Sequence, residues 1–462
     1  MRNNKWLRLV ALLSVLSLIL AACGGDDAGD DTEETTTTTA APTTTAAPDD
    51  TTETTMADMD DEPMDVGGDG VLTIGTLLPV TGDLAFLGPP EVAGARLAVQ
   101  DINDAGGVFG TDVVLVEGDS GDTNQDIANP EVDRLLAEGV DSIHGAASSA
   151  VSKLVIDKIT GNDVIQFSPA NTSADFTTYD DNGLYFRTAP SDLLQGQVVA
   201  NQLLDQGNET IGIIFRQESY GQGLAETIRE NFEAAGGVVD PYIPYAVDTE
   251  NFDADVDQLA AAAPDGIVVI GFSESANILT TMNERGVGPV DGVNVWGTDG
   301  NYGIGAQMAD PSIIAGFKAT TPSVDLSAIS DFTDRLDGAY EGGVGGIFAY
   351  GAETYDSVII TALAALVAGV DDSVAIAAEI NGVTKDGEKC TSFAQCKDII
   401  EAGGNPVYDG VGGPYEFVDA GEPTAASFLI VTYDGEYDAD PDDEVLPGAL
   451  YNPDLDEYVF AS

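Results

Sequence analysis

The stretch Val71-Leu-Thr-Ile-Gly-Thr-Leu-Leu-Pro79, with residues 91–105 and 113–117 after it, decides the architecture. The first run is apolar with β-branched members and stops at Pro79, which cannot donate to a sheet ladder, so it reads as a strand. Residues 91–105 then place Val92, Ala95, Val99 and Ile102 at spacings of three and four, one face of an amphipathic helix ended by Gly106-Gly107. Val113 to Glu117 is the next strand, Ile127 to Ala137 a helix, and Ser142 to Gly145 a third strand. This strand–helix–strand rhythm predicts a parallel sheet covered on both faces, with ligands expected where loops leave the C-terminal ends of strands.

A second run of the same kind begins after Pro190. Ile211 to Phe215, Val238 to Tyr245, Gly266 to Ile270 and Val293 to Gly297 read as strands, separated by helices near 221–235, 252–262 and 275–285. A later helix over 352–368 is rich in Ala, Leu and Val, but it is short for a span and contains Glu353 and Asp356, so it reads as packed core. About 390 residues follow Gly70, and 43% of the chain is hydrophobic, enough for more than one core. The expected fold class is α/β, with two doubly wound Rossmann-like lobes facing a cleft.

Upstream, Arg2, Lys5 and Arg8 precede an uncharged stretch from Leu9 to Ala22, too short for a permanent span and read as an export signal over 1–22. Leu20-Ala-Ala-Cys23 resembles the bacterial lipobox, which implies that Cys23 carries the lipid; the plainer alternative is a signal peptide that happens to contain a cysteine. Residues 24–70 are almost entirely Asp, Glu, Thr, Ala, Pro and Gly, without Lys, Arg or an aromatic. Such a segment cannot bury enough apolar surface to offset its chain entropy, so 23–70 is expected to be a disordered acidic linker of roughly 40 Å reach. The expected location is extracytoplasmic, anchored to the cell membrane by lipid.

The formal net charge is −64, and only thirteen Lys and Arg occur after residue 70. With no basic stripe to meet phosphates, nucleic-acid binding is excluded. So acidic a surface also fits a saline habitat, where screening shortens repulsion. Two cysteines remain beyond Cys23, in Cys390-Thr-Ser-Phe-Ala-Gln-Cys396, and outside the cytoplasm they are expected to form a local disulfide. Free thiols or a metal site are the alternatives, but one His in the chain and no further Cys leave a metal short of ligands, and no metal or cofactor is expected.

Specific wording narrows the class further. Ile74-Gly-Thr-Leu-Leu-Pro79-Val-Thr-Gly82, then Gly94-Ala95 and Asn103-Asp-Ala-Gly-Gly107-Val-Phe-Gly110, resembles the opening of branched-chain amino-acid binding proteins of ABC importers. The likeness continues through Gly145-Ala-Ala-Ser-Ser149, Ser168-Pro-Ala-Asn-Thr172, Phe186-Arg-Thr-Ala-Pro-Ser-Asp192 and Tyr220-Gly-Gln-Gly223. It implies the type I periplasmic binding protein fold, no enzyme activity, a small amino acid captured by cleft closure, and permease and ATPase partners on other chains.

A free amino acid carries a carboxylate and an ammonium, and enclosing either without a partner costs several kcal/mol. The resemblance implies that the hydroxyls of Ser149 and Thr172, with backbone N–H groups near Ala170 and Thr172, hold the carboxylate. Ser148 and Ser149 could equally serve as an N-cap for the helix from Val151. Asp299, in Trp296-Gly-Thr-Asp299-Gly, is the implied ammonium partner, where relatives often carry Glu. Tyr220 would cover the ligand, and Phe272 and Leu87, with Phe86, would form apolar walls suited to an aliphatic side chain. The implied lobes are 71–190 with 322–411, and 191–320 with 413–462, hinged near Thr188 to Asp192, Ala319 to Ser323 and Gly412 to Tyr415.

Other classes fit less well. Ser149 and His144 lie too close in sequence, on a strand and its following turn, to make a triad, and Gly271-Phe-Ser273-Glu-Ser275 lacks the closing glycine of a nucleophile elbow. His144 is expected as a packed residue. No Walker loop or Gly-x-Gly-x-x-Gly follows the first strand. A ligand-sensing lipoprotein, or a binding protein for an aliphatic amide or urea, remains as an alternative.

Overall fold

The computed structural model describes residues 67–435, apart from 124, 125 and 325, together with the backbone of a strand at 458–461. The expected signal peptide, Cys23 and nearly all of the acidic linker lie outside the described residues. The backbone N–H groups of Asp69, Gly70 and Val71 converge on one carboxylate oxygen of Asp371 at 3.0, 2.7 and 3.0 Å.

The first half builds β1 (Thr73–Leu77), α1 (Gly88–Asp104), β2 (Val114–Val116), α2 (Ala128–Ala137), β3 (Ser142–Gly145), α3 (Ser149–Thr160), β4 (Ile165–Ser168) and β5 (Tyr185–Arg187). These strands form a parallel sheet in the order β2-β1-β3-β4-β5. There follow α4 (Asp192–Asp205), β6 (Thr210–Arg216), α5 (Ser219–Ala234), β7 (Val238–Tyr245), α6 (Asp253–Ala262), β8 (Gly266–Ile270), α7 (Ser275–Arg285), β9 (Asn294–Gly297) and β10 (Lys318–Pro322). Every residue of β8 is buried, as expected of an apolar strand in a sheet packed on both faces.

The chain then adds α8 (Ser330–Gly338), α9 (Gly351–Ala368), α10 (Ser373–Ile380), β11 (Glu388–Cys390), α11 (Phe393–Glu401), β12 (Pro406–Gly410) and β13 (Gly413–Pro414). It ends with β14 (Ala425–Thr432) and β15 (Tyr458–Ala461). The second sheet runs β15-β14-β10-β9-β8-β6-β7; it is parallel from β7 to β10, and β14 and β15 join antiparallel. Cys390 and Cys396 are disulfide-bonded beside the small sheet of β11, β12 and β13, with Cα atoms 5.3 Å apart.

Helix α9 is the one described helix long and apolar enough to cross a membrane, and 83% of it is buried inside the protein. It packs on α1 so closely that a Cβ on Gly94 would stand 2.4 Å from the carbonyl oxygen of Gly351, so only glycine fits there. Its buried Asp356 accepts hydrogen bonds from the phenols of Tyr408 and Tyr415 at 2.6 and 2.7 Å, and from the N–H groups of Val411 and Gly412 at 3.0 and 2.7 Å. A buried carboxylate satisfied four times ties β12 and the following turn to the helix. His144 is enclosed too, stacked on Phe167 and bonded to Ser357 and Ser142, and burial depresses its pKa to about 3. A neutral, fully enclosed imidazole is no base for Ser149.

The last expected crossing falls later than Gly412 to Tyr415. Gly413 and Pro414 pair with β12, and Phe417 packs against Phe167 of the first sheet, so the chain leaves for the second sheet only beyond Phe417. The cause is Tyr415, whose bond to Asp356 holds this segment to α9.

Candidate functional site

The C-terminal ends of the two sheets face each other, and all seven expected contact residues border one cavity: Leu87, Ser149, Ala170, Thr172, Tyr220, Phe272 and Asp299. Leu84, Ala147, Ser148, Gly300 and Tyr350 complete its lining. Its volume is about 20 Å³, room for about one water molecule, so an amino acid enters only if the walls part. A wider depression of about 710 Å³ beside β11 is lined by Lys385 and Lys389, but it is open, and both lysines are engaged, with the carbonyl of Phe417 and with Asp409.

On the first sheet's side, Ser148 and Ser149 divide the tasks expected of them. Ser148 caps α3, its Oγ accepting from the N–H of Val151 at 3.4 Å, while Ser149 opens the helix and its Oγ accepts from the N–H of Ser173 at 3.4 Å. The helix thereby turns its N-terminus, the positive end of its dipole, toward the cavity. The loop after β4 is pinned from behind. Asn171 donates to the carbonyls of Ala146 and Ala147 at 2.9 and 2.8 Å, and buried Arg187 donates to the carbonyls of Asn171 and Ser173 at 3.1 and 2.8 Å.

The N–H of Ala170 lies 3.3 Å from the hydroxyl of Ser168, which takes a shorter bond of 2.9 Å from the N–H of Asn171. Thr172 has a buried hydroxyl whose neighbour is the carboxyl of Asp192.

On the second sheet's side, Asp299 follows β9 in a turn that depends on Gly300, where a Cβ would stand 2.6 Å from the carbonyl oxygen of Gly271 and 3.1 Å from the Tyr220 hydroxyl. One carboxylate oxygen of Asp299 accepts from Tyr220 and the other from Tyr350, both at 2.8 Å. Burial raises its pKa above the ordinary carboxylate range, and the two phenols offset part of that. Tyr220 stacks on Phe272 with ring centres 5.5 Å apart.

Sequence reasoning missed Tyr350, Leu84 and Asp192. Tyr350 sits at the left-handed turn before α9, with no local signal for its reach across the cleft. Leu84 takes the wall position expected of Phe86, which is only partly buried. Asp192 was part of the quoted motif and could have been noticed. It opens α4 fully buried, and its pKa lies well above the ordinary range because of burial first and the charge of Asp299 second, with the Thr172 hydroxyl offsetting part of that.

The chain is 30% identical over 283 residues to Leu/Ile/Val-binding protein homolog 8 of Brucella abortus, covering 57% of this chain and 68% of that one. It is 28% identical over 213 residues to homolog 3 of Brucella melitensis, covering 45% of this chain and 56% of that relative. The fold is that of a leucine-binding protein from Thermotoga maritima (TM-score 0.66, 19% identity, 85% of this chain and 99% of that one). It is likewise that of a branched-chain amino-acid transporter substrate-binding protein from Streptococcus pneumoniae, solved with isoleucine (TM-score 0.66, 20% identity, 85% and 100%). A solute-binding protein from R. palustris, solved with benzoate, is similar at a TM-score of 0.64 and 18% identity, over 85% of this chain and 98% of that one. The sequence profile of periplasmic binding proteins matches residues 71–417, and the chain belongs to that family, whose members bind solutes and are not enzymes.

Proposed function

We propose that this protein captures a free branched-chain amino acid outside the cytoplasm and delivers it to the membrane subunits of an ABC importer, while tethered through a lipid on Cys23. The lobes are 71–190 with 322 to about 422, and 191–320 with β14 and β15. The observation that carries the reading is the polar division of the cavity. Asp299, with Asp192 behind it, offers negative charge for an ammonium; the α3 N-terminus and the Ser149 and Thr172 hydroxyls, across from Asp299, suit a carboxylate. Leu84, Leu87 and Phe272 leave an aliphatic side chain as the third complementary part. Because the charged ends are met from both sheets, a zwitterion collects its full set of contacts only in the closed cleft, and binding shifts the population toward that form.

A buried carboxylate pair speaks against a carboxylate ligand without an ammonium, such as the benzoate of the R. palustris relative, and against urea. Calorimetry of the purified protein against leucine, isoleucine, valine, acetamide, urea and benzoate separates these readings. Heat of binding with a branched-chain amino acid and none with the others is expected; binding confined to the uncharged or purely anionic solutes removes the proposal. For the tether, Cys23→Ala should release the protein from membranes, and retention without fatty-acid labelling would count against it.

A further inference from the structure

Arg216 ends β6 and is wholly buried, yet it reaches beyond its own sheet. Its Nη1 lies 3.1 Å from Asp83 and its Nη2 lies 3.3 Å from both oxygens of Asp122, two acids on the loops that follow β1 and β2 of the other sheet. Nη1 also lies 3.0 Å from Glu274 on its own side, and the hydroxyl of Ser273 donates to Asp83 at 3.3 Å. The guanidinium carbon stands 4.7 Å from the ring centre of Phe272, the same ring that stacks on Tyr220 and walls the cavity. Arg216 therefore joins a charged contact across the cleft to an aromatic stack that ends at Asp299.

We propose that Arg216 is a positioning residue of the binding site, a latch that Asp83 and Asp122 grip when the cleft is shut and that holds Phe272 against the enclosed solute. The inference rests on the reading of this cleft as the solute site. Parting the walls takes Asp83 and Asp122 away while Glu274 stays, so the guanidinium exchanges two of its three carboxylate partners for water. Such a contact exists only in the closed form, so it slows opening and leaves encounter with the solute nearly unchanged. The loop bearing Asp83 also carries Leu84 and Leu87, so the same grip seats two of the aliphatic walls. Burial and the proximity of Asp122 hold the pKa of Asp83 near 6, as expected where two carboxylates converge on one cation.

The test uses the full chain and L-leucine as probe. Arg216→Met and Asp83→Asn should each raise the leucine dissociation rate about tenfold or more, with association rates within about threefold. Arg216→Lys should recover part of the loss, and in the Asp83→Asn, Asp122→Asn background Arg216→Met should add little, the mark of coupling across the cleft. The solute-free cleft still samples the closed form, so replacing Arg216 should lower that fraction and raise hydrogen exchange in loops 79–87 and 119–123, although the substitution lies on the other sheet. Exchange confined to the surroundings of β6, or unchanged dissociation, overturns the latch. If wild-type protein binds no leucine, the proposed function fails on its own, and the solute-free exchange pattern still decides the latch. Asp83 is partly exposed, so Asp83→Asn keeps the test open should Arg216→Met fail to fold.

Discussion

Tyr350 and Asp299 belong to different sheets' surroundings, one before α9 and the other after β9, yet the phenol of the first donates to a carboxylate oxygen of the second at 2.8 Å. The acid that is proposed to hold the ammonium is therefore itself a bridge across the cleft. Asp299→Ala should weaken branched-chain amino-acid binding by about 3 kcal/mol or more, over a hundredfold, whereas Tyr350→Phe, which removes one hydrogen bond and leaves Tyr220, should cost about 1 to 2 kcal/mol. Calorimetry checks both, and an unchanged affinity for Asp299→Ala would take this residue out of the site.

Asp192 and Asp299 give binding a direction with pH. Both carboxyls keep their protons above the ordinary range, and an ammonium favours their ionised forms, so binding expels protons. Affinity should rise with pH until both acids are ionised without the solute, then level off. Asp192→Asn should flatten this profile. Calorimetry in buffers of different ionisation heat would count the protons released, and proton uptake would reverse the assignment.

Thr172 ties affinity to the ionisation of Asp192. Its buried hydroxyl faces the Asp192 carboxyl and favours the ionised form, so Thr172→Val should lower the unfolding free energy at neutral pH by about 1 kcal/mol. Solute affinity should fall about tenfold, because a neutral donor to the carboxylate is lost. Equal affinity for the two proteins would make this hydroxyl a bystander.

Stability should fall as solutions become more alkaline. Burial raises Glu353 from 4.5 to about 8, and it faces Asp356 and Glu91, which are also raised. A carboxyl whose folded pKa lies above its unfolded one contributes stability that is complete below the unfolded value and lost as pH climbs through the folded value. The window runs from about 4.5 to about 8. His144, lowered to about 3, acts oppositely and only below its unfolded value. Glu353→Gln should lessen the alkaline loss by about 1 to 3 kcal/mol, read from denaturant unfolding at several pH values; an unchanged slope would mean that Glu353 ionises freely in the fold.

The disulfide stands apart from the cavity. Replacing Cys390 and Cys396 together by Ser should lower unfolding stability by about 2 kcal/mol and leave solute affinity unaltered. A parallel loss of affinity would reveal coupling between the small sheet and the cleft.

Most of the α/β order was legible along the chain, since a strand buried on both faces must be continuously apolar and an amphipathic helix must repeat every three to four residues. Gly266 to Ile270 and Ser275 to Arg285 needed nothing beyond that pattern. That Ser149, Thr172 and Asp299 border one cavity follows from their places after short apolar runs, where a doubly wound sheet leaves its loops, whereas their expected roles came from the family resemblance. What local pattern cannot carry is the meeting of groups far apart in sequence. Tyr350 with Asp299, Arg216 with Asp83 and Asp122, and the nearness of Asp192 to Asp299 all depend on how the two sheets face each other. That arrangement comes from long-range packing, and it decides which polar groups are satisfied and which are left for a solute to complete.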